Sequence, residues 1–334
     1  MQRLFQSKVI LSILLLAAIV FPLVTQNNYY KQVLILVFIW SIAVYGFNVI
    51  SGYIGQLSLA HSGFFAIGAY AVGLLTTKAN VPFWIAFFIA LAITPVLGAL
   101  VGVVALRTRN HFFAIYTMCV GFIIYLIIDK WDELTGGVRG LIGIPTPAPI
   151  GPIYFDSILS QYYLVLFFLV TTIFVMHRII HSLLGRTFVA IRNSEQLAQT
   201  IGISIMKNQL IAFVISTFFA GLAGILYATF IRFIGPDIAS TMITFEMLLY
   251  LLVGGIGTLT GPLLGTFIIV TLTQSLQFLE EYRMIIFGPI VVLIMLFYPR
   301  GIVGGFLEFR AFLKSRQTKK RKQKAVEKTV EEVG

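Results

Sequence analysis

Two glycine-rich stretches interrupt otherwise apolar sequence. They are Ser51-Gly52-Tyr53-Ile54-Gly55-Gln56-Leu57-Ser58 and Val253-Gly254-Gly255-Ile256-Gly257-Thr258-Leu259-Thr260-Gly261-Pro262. Both contain Gly-x-Ile-Gly-x-Leu followed by Ser or Thr. Glycine tolerates tight, non-helical backbone, and Pro262 suits the first turn of a new helix. A chain opened at such points offers N–H and C=O groups to a polar solute where the neighbouring side chains are apolar. Paired glycine-interrupted segments therefore point to a transport path. A tight turn between adjacent helices is the plainer reading, and the residues alone leave both open. The candidate path residues are Gly52, Gly55, Gln56, Ser58 and His61 at the first break, and Gly254, Gly255, Gly257, Thr258 and Thr260 at the second.

Catalytic chemistry is not visible. There is no HExxH, no cysteine pair and no Walker A glycine loop ending in Lys-Ser or Lys-Thr. His61, His111, His177 and His181 are scattered, so no metal set is expected. Cys119 stands alone inside an apolar run, where a small packing role is expected. Ionisable groups at membrane depth are costly and usually functional. They are scarce here: Glu246 falls near the outer end of one apolar run, as a snorkelling group would, and His61 near the inner end of another.

These residues must be held by membrane helices. Apolar residues make up 58% of the chain and charged residues 11%, too few to cover a water-exposed surface of this size. About 20 apolar residues in a helix cross the hydrocarbon core, which is roughly 30 Å thick. Ten such spans are expected, at about 9–25, 32–50, 58–77, 82–106, 111–128, 161–180, 209–231, 243–257, 262–279 and 284–299. The fold class is thus an all-α, polytopic transmembrane bundle occupying residues 1–311, with the first run a retained helix. Lysine and arginine set the expected orientation. With both termini inside, 18 of the 24 fall on cytoplasmic segments, eight of them between Lys314 and Lys328. This distribution explains the net charge of +11 by membrane topology and not by a nucleic-acid face.

Three stretches lie outside the spans. An external loop, 129–160, carries Gly136, Gly137, Gly140, Gly143 and Gly151 with Pro145, Pro147, Pro149 and Pro152, which forbid a regular helix. A cytoplasmic loop, 181–208, mixes basic residues with an amphipathic pattern. The tail 312–334 is rich in Lys, Arg and Gln, and is expected to be disordered and to secure the topology, with attraction to anionic lipid as the alternative. Small residues recur at helical spacing, Gly63, Gly68 and Gly73 and then Ala220, Gly221 and Gly224, where they let backbones pack closely.

At these motifs the sequence resembles the LivM-type permeases of branched-chain amino acid importers. The stretch from Gly52 to Tyr70, GYIGQLSLAHSGFFAIGAY, resembles that family's signature, as does Phe113-Ala114-Ile115-Tyr116-Thr117. The external Leu134-Thr135-Gly136-Gly137-Val138-Arg139-Gly140-Leu141 is similar to its Thr-Gly-Gly loop. Gly185-Arg186, Ala190-Ile191-Arg192-Asn193-Ser194-Glu195 and Gly202-Ile203 resemble its cytoplasmic loop. Further blocks match at 212–216, 219–224 and 254–258, so the resemblance runs in order from about 30 to 305.

That resemblance implies one subunit of a heteromeric importer in a bacterial-type inner membrane. A second, LivH-type permease subunit would complete the path. Two cytoplasmic ATPase subunits would use ATP, with no cofactor on this chain. An extracytoplasmic binding protein would deliver the solute, docking near Thr135, Gly136 and Gly137. Loop 181–208 would couple the ATPases to the path through Arg186, Arg192, Glu195, Ala198 and Gly202. The last three loosely follow a Glu-Ala-Ala-x-x-x-Gly motif, with Gln196 and Leu197 replacing alanine and the glycine one place late. Urea or a short amide is the nearest alternative solute. A proton-coupled secondary transporter and an integral membrane enzyme are the alternatives of other classes, and both require intramembrane ionisable groups that are scarce here.

Overall fold

The computed structural model describes residues 18–275 apart from 26, 109, 110 and 153, together with the single positions 289 and 301. Helix α1 (18–24) is followed by α2 (Asn28–Phe47), which continues as a π-helical stretch, Asn48–Ile54. Then come α3 (His61–Thr77), α4 (Phe83–Ala105), α5 (His111–Lys130) and a single turn, α6 (Asp132–Thr135). Helices α7 (Ile158–His181), α8 (Leu183–Asn193), α9 (Glu195–Thr200), α10 (Ile205–Ile231), α11 (Thr241–Gly254) and α12 (Gly261–Ser275) complete the described chain. The one sheet among the described residues is a two-residue antiparallel ribbon. It pairs β1 (Leu141–Ile142) with β2 (Phe233–Ile234), Leu141 opposite Ile234.

By length and composition, five segments can cross a membrane: Asn28–Ile54, Phe83–Ala105, His111–Lys130, Ile158–His181 and Ile205–Ile231. Helices α3, α11 and α12 are shorter. The expected span 284–299 and most of 9–25 lie outside the described residues, as does the tail 312–334. Helices α4, α5 and α7 turn bulky apolar side chains outward, among them Phe88, Leu100, Phe112, Ile123, Phe167 and Phe174. Such a surface is stable where lipid, not water, is the solvent. Cys119 belongs to it: the side chain is exposed on α5 and is not the buried packing residue the sequence suggested.

The core is a sandwich of α2, α3 and α10, and small residues set its spacing. A methyl group added to Gly68 would overlap the Gly221 backbone, and one added to Gly224 would overlap the Phe65 carbonyl oxygen. Main chains approaching this closely leave no room for a β-carbon, and they gain the dispersion contacts that hold helices together in lipid. The packing role expected of these glycines is what the structure shows. Gly224→Val should therefore separate α3 from α10, costing about 1–3 kcal/mol as overpacking does. The check is a lower thermal midpoint of the detergent-solubilised protein; an unchanged midpoint would contradict this packing.

Candidate functional site

The two glycine breaks meet in space, at the end of the bundle that carries α8 and α9. Asn48 joins them. Its Nδ2 donates to the Thr258 carbonyl at 2.8 Å, and its Oδ1 accepts from the Gly257 N–H at 2.9 Å. Gly52 permits this approach, because a β-carbon there would overlap Asn48 Oδ1 and lie 2.7 Å from the Gly257 nitrogen. Arg192 of α8 closes the arrangement. Its Nη1 donates to the Gly52 carbonyl at 2.5 Å, and its side chain lies against both Gly55 and Gly257. One amide and one guanidinium thus pair backbone groups that broken helices leave open. Of the expected path residues, Gly52, Gly55, Gly257 and Thr258 come together here.

The first break is not the simple turn that a helix restarting at residue 58 would give. The chain stays helical through Ile54, turns at Gly55 with φ 85°, and runs without helix to His61. This stretch is buried among helices. The Leu59 N–H donates to Thr117 Oγ1 at 3.0 Å, two turns inside α5. His61 Nε2 lies 3.1 Å from the Ala43 carbonyl, four turns down α2 from its start, and its other ring nitrogen lies 3.4 Å from Ser216 Oγ. Gln56 and Ser58 are also buried, and among the described residues Gln56 Oε1 and Ser58 Oγ find no hydrogen-bond partner. Non-helical backbone at this depth is tolerated only where protein or a water-filled cavity surrounds it.

Helix α11 starts at the same depth. Ser62 Oγ donates to the Ala239 carbonyl at 3.1 Å, and Thr244 Oγ1 donates to Ser62 Oγ at 2.8 Å while accepting from the Ser62 N–H. Eleven residues further along α3, Gly73 faces Leu141 and Ile234 of the ribbon. At 1.5 Å per residue that separates α11 from the ribbon end by roughly 16 Å. Glu246, a turn and a half into α11, is half-buried and lies farther from the ribbon than the start of α11. The other members of the second break do different work. Gly254 and Gly255 pack against α12 through Gly261, and Thr260 is exposed.

The loop 181–208 forms two short helices. Ser182 caps α8 by accepting from the Gly185 N–H, and Ser194 caps α9 by accepting from the Leu197 N–H at 3.2 Å. Glu195 Oε1 accepts from Gln209 Nε2 at 3.1 Å, tying α9 to the start of α10. Ala198 is buried, whereas Arg186 and Gly202 are exposed. Leu183, Leu197 and Ile201 also face outward. At the opposite end, Thr135 Oγ1 donates to the Ile128 carbonyl at 2.6 Å and accepts from Gly137 N–H. Gly136 and Gly137 turn the chain into β1, which pairs with β2.

Comparison with known proteins decides the family. A family model described as the permease component of the branched-chain amino acid transport system matches residues 29–295. The chain belongs to this family. The permease is 29% identical to the high-affinity branched-chain amino acid transport system permease protein LivM of Escherichia coli (strain K12), over 89% of this chain and 75% of that one. It is 23% identical to LivH of the same strain, over 79% of this chain and 91% of that one. A probable LivM of Methanocaldococcus jannaschii matches at 23%, over 64% and 67% of the two chains. No solved structure matches.

Sequence reasoning missed Asn48. The available signal was an uncharged amide in an apolar helix one turn before a glycine break, a residue that must find polar partners in lipid. Asn48→Ala leaves the Gly257 N–H and Thr258 C=O unpaired, at a cost of about 1–3 kcal/mol. The thermal midpoint of the purified permease should fall, and Asn48→Asp, which cannot donate to Thr258, should not restore it. A midpoint equal to wild type in both variants would refute the clasp.

Proposed function

We propose that this permease is one half of the translocation path of an ATP-driven importer for branched-chain amino acids, in a bacterial-type plasma membrane. The observation that carries this reading is Arg192. One side chain of the amphipathic α8 bonds to the main chain of the first glycine break and lies against Gly257 of the second, so a displacement of α8 would act directly on the opened backbone. A lever joined to a broken-helix gate is what alternating access driven from outside the bundle requires. The names of the relatives supply the solute class, and the pairing of LivM-type with LivH-type relatives supports a second permease subunit.

In this reading the bundle has ten spans with both termini in the cytoplasm. The end bearing α8 and α9 is cytoplasmic, and the ribbon end is external. Two ATPase subunits bind ATP and press on α9 and the exposed strip of Leu183, Leu197 and Ile201. Arg186 and Glu195 border that strip, Ala198 anchors α9, and Gly202 lets the chain turn back into α10. A solute-binding protein docks at the cap shaped by Thr135, Gly136 and Gly137. The solute then passes the opened backbone near Gln56, Ser58 and His61, and leaves through the clasp of Asn48 and Arg192.

Four measurements test this. In the reconstituted importer with its binding protein, Arg192→Ala should lower leucine uptake per ATP hydrolysed by roughly 5- to 150-fold, the usual range of coupling between sites. Assembly should survive. Uptake per ATP at the wild-type ratio would sink the lever. Replacing Glu195 and Gly202 should also uncouple hydrolysis from uptake, whereas replacing Gly136 and Gly137 should blunt stimulation by the binding protein and leave basal hydrolysis intact. Uptake that persists without the ATPase subunits and collapses with a protonophore would mean a secondary transporter instead.

A further inference from the structure

One acidic side chain and four aromatic rings converge at membrane depth, apart from the clasp and from the lever. Trp40 of α2 stacks on Phe65 of α3, with ring centroids 5.0 Å apart and planes 9° from parallel. Tyr227 of α10 lies 5.7 Å from Trp40 and 5.4 Å from Phe65. Tyr250 of α11 meets Trp40 edge-on at 6.5 Å. The Tyr250 hydroxyl donates to Glu246 Oε2 at 3.3 Å, and the carboxylate is close enough to act electrostatically on Tyr227. Phe65 and Tyr250 are buried, while Trp40, Tyr227 and Glu246 are half-buried.

Physical chemistry narrows what such a half-buried cluster can meet. A carboxylate at membrane depth is too costly to face lipid, so this face must meet protein or a water-filled path. Tyrosine and tryptophan faces attract a cation through the ring quadrupole, most strongly when it is desolvated. A carboxylate beside them supplies charge and hydrogen-bond acceptors to an ammonium. The aliphatic edges and ring faces suit an apolar side chain attached to that ammonium.

We infer that Glu246, with Trp40, Tyr227 and Tyr250, is a binding station for the α-ammonium group of an apolar amino acid as it crosses the bilayer. Tyr250 holds the carboxylate in place and the aromatic faces replace the water that the ammonium sheds. A neutral solute such as urea has no use for this carboxylate, so the station also separates amino acids from small amides. The inference rests on the permease reading above and specifies which solute atoms this half of the path contacts.

The test uses the assembled importer in lipid nanodiscs without the binding protein. Tryptophan fluorescence is titrated with leucinamide, which keeps the ammonium and lacks the carboxylate, and with isocaproate, which lacks the ammonium. The Trp40-dependent part of the signal is defined by subtracting a Trp40→Tyr importer. Leucinamide should quench it saturably and isocaproate should not. Glu246→Gln should weaken leucinamide binding by at least about tenfold, in keeping with loss of a charged partner in a dry site. Glu246→Asp should retain most of it.

Equal binding by wild type and Glu246→Gln would overturn the station. So would the absence of any Trp40-dependent quenching in a wild-type importer that takes up leucine, and that result would leave the permease reading standing. Loss of assembly in Glu246→Gln, with no leucinamide binding in wild type, would make Glu246 a structural contact to another part of the complex and also overturn the station. ATP-driven leucine uptake is measured with the same purified wild-type importer in proteoliposomes supplied with the binding protein, and its absence would count against the permease reading alone.

Discussion

Lipid offers no hydrogen bonds, and the rest of this structure depends on that constraint. Each interruption of a helix exposes amide and carbonyl groups that only the protein itself can pair. At the first break the chain uses Thr117, Ala43 and Ser216 for the backbone and imidazole around Leu59 and His61. At the second it uses the side chain of Asn48 for Gly257 and Thr258. The breaks are therefore costly features held in place by side chains from at least three other helices, which is what separates them from accidents of sequence.

The same constraint links local structure to mechanism. A helix that begins in mid-bundle presents its N–H groups and its positive dipole end to the interior. Helices α3 and α11 both begin there, and Ser62 and Thr244 bind each other across the gap. Their directions are opposite: α3 runs toward the ribbon, α11 toward the clasp. Arg192 of α8 bonds to the backbone that precedes α3 and lies against the backbone that follows α11. The structure thus connects a surface helix to the bundle centre through a handful of polar contacts, while the close main-chain packing of Gly68 and Gly224 keeps α3 and α10 together.

Much of this was legible in the sequence. Hydropathy gave the membrane bundle, and glycine spacing gave both the breaks and the close packing of α3 on α10. The serines at 182 and 194 are ordinary helix-starting residues, and the helices of 181–208 follow them. Three features were not legible. Periodicity treats Asn48 as one polar residue among many, because its partners lie some 210 positions away. The depth of Glu246 depends on the descent of 234–239 alongside α3, a tertiary path with no local signature. Cys119 lies in an apolar run, and apolarity cannot distinguish a core-facing residue from a lipid-facing one when lipid and core are equally apolar.

The ribbon of β1 and β2 carries a consequence for how the chain is made. Leu141 pairs with Ile234, and Ser62 with Thr244, so the partners emerge from the ribosome some 90 and 180 residues apart. Helix α3 must enter the bilayer long before α10 and α11 exist to pair its polar end. During synthesis the His61–Ser62 end is a half-finished membrane segment with exposed polar groups.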